Sequence, residues 1–352
     1  MTETASEAVV FLSNRGPVEF GRENGRRTTH RGGGGLVTAL SGLAGRLPEA
    51  VWVCGALTDE DAVVAAEHDG AAFKLGDRDP VVRWVVTDAE ERRKFYSVIS
   101  NPLLWFVQHY LWALADAPDF TRREVDAFEN GYVPVNACFA DAVAEEVESR
   151  GGDVTVMVQD YHFYLVPEHL RARCPGVLLH HFVHIPWPQP DGWRVLPPPM
   201  REAVLKGVLG NDIVAFHTER YARNFLLGCQ ELLGLPVDLK AHTVDLGDRT
   251  VRARWYPISI DPAQFEELAS SPAVLKHERD LSARARDHLI LRVDRADLSK
   301  NIVRGFKAFD VLLDDHPSWP SGSRSSPSSS PAGRTWRSTP PTGSGSAGWW
   351  PT

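Results

Sequence analysis

Short apolar runs recur along the chain and alternate with longer stretches of helical spacing. The runs are nearly continuous in Val, Ile and Leu, as is typical of parallel strands that are covered on both faces. Seven strands are predicted on this basis, at residues 8–14, 50–55, 82–86, 154–160, 176–185, 212–218 and 288–294.

The stretches between these runs carry apolar residues at i, i+3 and i+4, which predicts amphipathic helices. The predicted helices lie at residues 35–47, 123–151, 219–234 and 301–315, with Pro134 as a break in the second. Strand and helix alternate over the first 250 residues, which favours an α/β fold with a doubly wound parallel sheet. The proline-containing segment 255–265 indicates a crossover into a second α/β unit.

Composition narrows the class of protein. The chain is 43% hydrophobic and 24% charged, as a globular enzyme is, and its net charge of -8 gives no support for a nucleic-acid surface. No apolar run approaches the roughly 20 residues that span a bilayer, and the N-terminus lacks the basic start of a signal peptide. Four scattered cysteines without a C-x-x-C pair favour a reducing cytosol, so we expect a cytoplasmic protein without a disulfide or zinc framework.

A glycine run follows the first predicted strand and directly precedes a helix. The N–H groups at such a helix N-terminus favour a phosphate. Residues 32–35 lack both the G-K-[ST] of a P-loop and the third glycine of the dinucleotide motif, so a phosphate site and a flexible turn both stay open. Arg15 favours the phosphate, because it ends a strand whose carboxyl end borders the ligand crevice.

The aromatic-rich segment 94–112 has the spacing of a core-facing helix. Tyr96 and Trp105 lie nine residues apart, about two and a half α-helical turns. They would therefore not share one face of a regular helix, and this mismatch favours positions around a cleft.

Polar residues end two of the central strands. Asp160 is poorly explained by a core, and its carboxylate can accept hydrogen bonds from sugar hydroxyls. His180 and His184 would lie about 13 Å apart on a strand, too far to share one zinc ion, so no metal is predicted. His184 precedes a proline-rich turn that would hold its imidazole at the sheet edge.

Two cations stand just before the helix predicted at 301–315. Arg295 and Lys300, together with a helix N-terminus, would form a cradle for a diphosphate. The alternative is a solvated helix cap with Ser299 as the N-cap residue.

These segments together resemble the trehalose-6-phosphate synthases, the retaining glucosyltransferases of glycosyltransferase family 20. The matching blocks, in order, are SNRGPV, GGGGLV, YSVISNPLLW, QDYHFYLVP, HIPWP and RVDRADLSKNI, with SKNIVRGF similar to the actinobacterial type. The resemblance implies a GT-B fold with a complete Rossmann-like acceptor-side domain at 1–258. It also implies the start of a Rossmann-like nucleotide-sugar domain at 259–319.

The activity that the resemblance implies is transfer of glucose from UDP- or GDP-glucose to glucose 6-phosphate with retention, giving trehalose 6-phosphate. The nucleotide sugar is a substrate, so neither a cofactor nor a metal is implied, and no nucleic acid or membrane partner is expected; a homo-oligomer stays open. The family is thought to use no protein nucleophile. Catalysis would then consist of positioning and electrostatic stabilisation of the leaving phosphate.

The resemblance also assigns residues to two substrates. Those that would hold glucose 6-phosphate are Arg15, Tyr96, Trp105 and Asp160. Those that would face the donor are Gly34, Gly35, His184, Arg295 and Lys300. Among the latter, His184 would orient the donor sugar, and the two cations would neutralise the leaving diphosphate.

Three positions depart from the family pattern. Gln159 stands where a His is usual, Ser259 where a Gly is usual, and Gly55 where a second Trp is often found. The loss of this Trp removes one acceptor-stacking contact. Two alternatives therefore stay open: a pseudo-glycosyltransferase that couples aminocyclitols, and a non-catalytic fragment that binds sugar phosphate.

The alternation of apolar strand runs and helical spacing ends at about Trp319. Residues 320–352 are biased to Ser, Pro, Gly, Arg and Trp, as GC-rich DNA is when it is read out of frame. We hypothesise a frameshift that truncates the donor domain, and we expect little or no transferase activity from this chain. A natural disordered linker is the alternative, and resequencing the gene distinguishes the two.

Overall fold

A computed structural model describes residues 8–32, 35–44, 47, 49–76, 80–112, 120–283, 290–294 and 298–316 of the 352-residue chain. The chain divides into two compact units, Met1–Ile258 and Ser259–Thr352. We call them unit 1 and unit 2. Among the described helices, none combines the length and apolar character needed to traverse a bilayer.

Unit 1 is organised around a mostly parallel sheet. Its strands, together with those of a separate hairpin, are β1 (Ala8–Ser13), β2 (Val18–Glu23), β3 (Arg26–Arg31), β4 (Val51–Gly55), β5 (Phe73–Lys74), β6 (Val81–Val85), β7 (Val154–Gln159), β8 (Leu178–Phe182), β9 (Ile213–Phe216), β10 (Val237–Asp238), β11 (Thr243–Asp245) and β12 (Thr250–Trp255). The sheet has the order β10-β11-β12-β9-β8-β7-β1-β4-β6-β5, and β2 pairs with β3. Six of the seven predicted strands are confirmed as the parallel strands β1, β4, β6, β7, β8 and β9, and β12, which was not predicted, pairs in parallel with β9.

The helices of unit 1 connect its strands, and three further described helices, the last three in chain order, belong to unit 2. In chain order, the helices of both units are α1 (Gly35–Ala44), α2 (Asp59–Glu67), α3 (Ala89–Lys94), α4 (Phe106–Gln108), α5 (Arg122–Ala127), α6 (Val133–Ser149), α7 (Val166–Arg173), α8 (Pro190–Trp193), α9 (Pro198–Val208), α10 (Glu219–Leu233), α11 (Pro262–Ala269), α12 (Pro272–Ser282) and α13 (Ile302–Asp315). Local signals set several boundaries. The Thr218 side chain caps α10, and Gly234 ends it in the left-handed conformation.

Alternate residues of the central strand β1 belong to two different cores. Val10 and Leu12 pack in the larger core, whereas Val9 and Phe11 pack in the smaller one. Successive side chains of a strand point to opposite faces, so both faces of the sheet are covered. This double burial explains why the predicted strands read as continuous apolar runs.

The chain reverses its direction of travel along the sheet between β1 and β7. From β1 it proceeds through β4 to β6, and it then returns to the other side of β1 through β7, β8 and β9. Such a reversal creates a crevice at the carboxyl ends of the two strands, where ligands of open α/β sheets bind.

Two predicted elements differ from the structure. The segment 94–112 is not a regular α-helix, because residues Phe95–Trp105 form a wide π-helical segment that continues into α4. The described part of the strand predicted at 288–294, residues 290–294, holds only a bridge residue at Arg292, since the described part of unit 2 offers no strand to pair with it. The break predicted in 123–151 is confirmed, since Pro134 lies in the first turn of α6.

Unit 2 consists, in its described part, of α11, α12, a 3₁₀ turn at Leu298–Lys300 and α13. The helix predicted at 301–315 is confirmed as α13. The tail predicted from 320 onward lies outside the described residues.

Candidate active site

Three predicted site residues lie at the carboxyl-terminal ends of three neighbouring central strands. Arg15 follows β1, Asp160 follows β7 and His184 follows β8. The first two flank the crevice between β1 and β7. The strand order therefore brings together residues that are far apart in the sequence.

Asp160 is held in a strained backbone conformation. Its φ is 69° and its ψ is 178°, a region that residues other than Gly rarely occupy. The N–H of Asp160 donates to the main-chain oxygen of Phe182 (2.7 Å). The Nε2 atom of His181 hydrogen-bonds to the main-chain oxygen of Asp160 (2.9 Å). These contacts fix the strained residue between β7 and β8.

The carboxyl group of Asp160 is buried at the same place. Burial raises its pKa to about 7, while the N–H groups of His184 and Tyr161 oppose the shift. The N–H of His184 donates to Asp160 Oδ1 at 3.1 Å. A carboxyl group with this pKa is available both to accept and to donate hydrogen bonds near neutral pH.

The imidazole of His184 is neutral, and its hydrogen bond to Gln159 determines which ring nitrogen carries the proton. Burial lowers its pKa to about 3, with smaller contributions from His217 and His181. Its Nε2 lies 2.8 Å from Gln159 Oε1, and the Gln159 amide donates to the main-chain oxygen of Met157 (3.3 Å). Oε1 is thereby assigned as the acceptor, so Nε2 of His184 carries the proton and Nδ1 keeps its lone pair.

Two neighbours of His184 were not singled out from the sequence as site residues. Gln159 orients the ring, and His217 at the end of β9 lies edge-to-face with it, with the ring centroids 5.4 Å apart. His217 also hydrogen-bonds to the backbone of His184. Their position at the ends of parallel strands is the signal by which both could have been found.

The wide helix changes the relation between Tyr96 and Trp105. A π-helix turns less per residue than an α-helix, so nine residues make about two turns in place of two and a half. The two side chains therefore lie on one side of the helix, in contrast to the geometry assumed from the sequence. Both are partly buried against the core, and Tyr96 stacks on His162 with the centroids 5.9 Å apart.

Arg15 is exposed and only weakly engaged. Its Nη1 lies 3.1 Å from Glu19 Oε1, in a surface ion pair of the kind that contributes little free energy. The guanidinium can therefore exchange Glu19 for an anionic ligand at small cost.

The glycine run is described only in part. Gly35 is exposed and begins α1, while Gly34 lies outside the described residues. A Cβ on Gly32 would lie 2.1 Å from the main-chain oxygen of Gly16, so Gly32 is required for a close backbone approach. The run is thus partly structural, and the phosphate site at Gly34 and Gly35 stays a prediction.

In unit 2, Lys300 is exposed at the end of the 3₁₀ turn, and Arg295 lies outside the described residues. Asn301, in a left-handed conformation, precedes α13, so the alternative of Ser299 as its N-cap residue is wrong. Within the described ranges, no group of His, Cys, Asp or Glu side chains is arranged to hold a metal ion.

Comparison with known proteins adds the family. A sequence model of glycosyltransferase family 20 matches residues 7–323. The chain belongs to glycosyltransferase family 20.

Relatives within family 20 carry a specific name. An α,α-trehalose-phosphate synthase [UDP-forming] of Schizosaccharomyces pombe is 32% identical over 322 residues, which are 89% of this chain and 59% of the relative. This family 20 chain thus spans about three fifths of the length of that curated relative.

Solved structures share the fold of this family 20 chain. The N-terminal domain of the Candida albicans trehalose-6-phosphate phosphatase matches 91% of the chain and 63% of its own, with a TM-score of 0.71 and 22% identity. An E. coli trehalose-6-phosphate structure with bound UDP-2-fluoro glucose matches 89% and 62%, with a TM-score of 0.69 and 23% identity. The predicted α/β GT-B fold is confirmed by these matches.

Proposed function

We propose that this chain carries the acceptor site of a UDP-forming α,α-trehalose-phosphate synthase. The reaction transfers glucose from UDP-glucose to glucose 6-phosphate with retention, giving trehalose 6-phosphate. Family membership and the name of the S. pombe relative support it. Because the chain spans only 59% of that relative, the complete reaction is proposed for proteins of the relative's full length.

The proposed acceptor site lies at the crevice between β1 and β7. Arg15 would bind the phosphoryl group of glucose 6-phosphate, and Asp160 would bind sugar hydroxyls. Tyr96 and Trp105, on one side of the wide helix, would flank the acceptor. Aromatic rings and a carboxyl group are the usual partners of the apolar face and the hydroxyls of a sugar.

The proposed donor site begins at His184. With Nε2–H bound to Gln159, its free Nδ1 can accept a hydrogen bond from a hydroxyl of the donor glucose. Gly34 and Gly35 would face a diphosphate. For unit 2, taken by itself, the family resemblance supports Arg295 and Lys300 as the cations that neutralise a leaving diphosphate. A pKa of about 3 keeps His184 uncharged, so it orients the sugar without adding charge.

The proposed chemistry is electrostatic. The acceptor hydroxyl forms the new bond to the anomeric carbon of glucose as the bond to UDP breaks. UDP takes the bonding electron pair and one of its phosphate oxygens takes the hydroxyl proton, while cations and N–H groups stabilise its charge. The nucleotide sugar itself brings the leaving group, so no cofactor takes part in the proposed reaction. Four unpaired cysteines support a reducing compartment such as the cytoplasm. The names of the relatives do not favour the aminocyclitol-coupling alternative.

The observation that carries the proposal is the strained, buried Asp160 beside Arg15 and His184 at the crevice of a family 20 chain. Strain of this kind persists where the surrounding structure maintains it, commonly at a ligand site.

Isothermal titration of the purified chain tests the proposal. We expect glucose 6-phosphate to bind, and glucose 1-phosphate, with its phosphate at the other end of the sugar, to bind at least about tenfold more weakly. The matched variants are Asp160→Ala, which should lose sugar binding, and Asp141→Ala, an exposed carboxylate on α6 that should bind as the wild type does. Equal binding of both sugar phosphates would contradict the proposal.

A further inference from the structure

Arg92 on α3 has a partly buried guanidinium without a carboxylate partner among the described residues. Its Nη1 is shielded from solvent and has no hydrogen-bond partner among the described residues, and no described carboxylate lies within ion-pair distance of it. The adjacent cations of α3 are paired in the ordinary way, Arg93 with Glu90 (2.6 Å) and Lys94 with Asp126 (2.8 Å). Arg92 is therefore the exception on this helix.

The surroundings of Arg92 supply no carboxylate in direct contact with its guanidinium among the described residues. Burial is the main cause that lowers its pKa; Tyr96 and Asp61 oppose the shift, and the like charge of Arg15 adds to it. The carboxylate of Asp61 already accepts the N–H groups of Phe20 (2.7 Å) and Leu57 (2.9 Å). A partly desolvated cation without a direct counter-ion is costly, so its presence needs an explanation.

The guanidinium lies at the carboxyl end of β4, beside the crevice. A Cβ built on Gly55, the last residue of β4, would lie 3.0 Å from Arg92 Nη1 and 3.3 Å from the main-chain oxygen of Asn14. The absence of a side chain at Gly55 thus makes room for the guanidinium. β4 is the neighbour of β1, so Arg92 lies one strand beyond Arg15 on the side away from Asp160.

Two further polar atoms at this edge lack partners. Asn14 follows β1 and is 6% exposed, and its buried Oδ1 has no hydrogen bond among the described residues. Thr87 follows β6, and its buried Oγ1 likewise has none there. Unpartnered polar atoms at the ends of β1, β4 and β6 indicate that this edge is built for a polar ligand.

We propose that Arg92 is a further acceptor-binding residue, which joins Arg15 in a two-guanidinium seat for the phosphoryl group of the acceptor. The inference rests on the proposed function, since glucose 6-phosphate supplies the anion. Two guanidinium groups match the several oxygens of a phosphoryl group.

The seat also fixes the direction of the acceptor along the sheet edge. The ends of β7 and β4 are separated by two strand spacings, about 10 Å. A hexose 6-phosphate has the reach to place its hydroxyls at Asp160 beside β7 and its phosphoryl group at Arg15 and Arg92 beside β1 and β4. The acceptor would then lie across the crevice with its sugar end towards His184.

Phosphate binding by an Arg92→Gln variant tests the seat. We expect Arg92→Gln to weaken the binding of glucose 6-phosphate by about tenfold or more, since a charge-assisted hydrogen bond is lost. Arg92→Lys should recover part of the loss. Arg93→Gln, on the same helix but paired with Glu90, is the matched control and should bind as the wild type does.

The thermal midpoint separates ligand binding from a structural role. Removal of a partly desolvated charge that lacks a direct counter-ion should leave the midpoint of Arg92→Gln unchanged or higher, whereas loss of a structural residue would lower it. Unchanged glucose 6-phosphate binding in a folded Arg92→Gln, or a lowered midpoint that accounts for the loss, would overturn the inference.

Binding of inorganic phosphate tests the two-guanidinium seat separately from the proposed acceptor, glucose 6-phosphate. If the wild type binds inorganic phosphate in an Arg92-dependent way but does not bind glucose 6-phosphate, the seat stands and the proposed acceptor is wrong. If the wild type binds neither anion, the seat is wrong as well.

Discussion

At the scale of single residues, the candidate site is set by burial and backbone position more than by residue type. Asp160 and His184 could be predicted because a polar residue at the end of an apolar strand is conspicuous in the sequence. Arg92 could not be predicted, because it stands among other charged residues of a short polar helix. Only the structure shows that its Nη1 lies near Gly55 and has no hydrogen-bond partner among the described residues.

Buried histidines and Asp160 give the stability a defined pH dependence. The folded pKa values of His181 and His184 are about 3, below the ordinary 6.5, so their contribution is present above pH 6.5 and is lost as the pH falls towards 3. The folded pKa of Asp160 is about 7, above the ordinary 3.8, so its contribution is present below pH 3.8 and is lost as the pH rises through 7.

His162 has the same lowered pKa of about 3, so three histidines against one aspartate predict a net loss of stability on acidification from pH 6.5 to 4. Asp160→Asn removes the opposing contribution, so the free energy of unfolding should fall more steeply in the variant than in the wild type. Urea unfolding at half-unit pH intervals measures both slopes. Parallel curves for the two proteins would show that Asp160 does not have the raised pKa.

At the scale of elements, continuous apolar runs predicted six parallel strands to within a few residues, since both faces of the sheet are buried there. The parallel strand β12 was missed because its buried residues alternate with more exposed ones. The hairpin of β2 and β3 was missed because its strands are polar and largely exposed, so no alternation marks them. The π-helical turns of Phe95–Trp105 were missed because the apolar spacing of the segment is also compatible with an α-helix.

Close packing of α9 against the turn before α7 depends on a glycine. A Cβ on Gly207 would lie 2.4 Å from the main-chain oxygen of Tyr164, which cannot move as a side chain can. Gly207→Ala should therefore lower the free energy of unfolding by about 1–3 kcal/mol.

The matched control is Gly228→Ala on α10, where the nearest atom to the new Cβ, Leu205 Cδ2, is 3.9 Å away. This variant should be neutral or more stable by up to about 1 kcal/mol, because Ala is the better helix former. Urea unfolding measures both changes, and equal effects of the two substitutions would contradict the packing account.

At the scale of the whole molecule, the described core belongs to unit 1. The buried apolar residues lie between Ala8 and Ala253, whereas the described residues of unit 2 include none that is buried. Its helices instead expose large apolar side chains, among them Phe265, Leu275 and Phe306. The stability of the chain should therefore reside in unit 1.

A chain shortened to residues 1–258 tests this distribution. We expect it to fold with a thermal midpoint within a few degrees of the 352-residue chain and to bind less of a hydrophobic dye, because the exposed apolar side chains of unit 2 are removed. Circular dichroism and dye fluorescence measure the two properties. An unfolded shortened chain would show that unit 1 depends on the remainder.

The central claim is that the crevice between β1 and β7 binds the acceptor sugar phosphate, and a crystal structure of the chain with glucose 6-phosphate tests it most directly. The account predicts the phosphoryl group within hydrogen-bond distance of Arg15 and Arg92, and sugar hydroxyls at Asp160. A ligand bound away from the carboxyl ends of β1 and β7, or bound there with its phosphoryl group at Asp160, would contradict it.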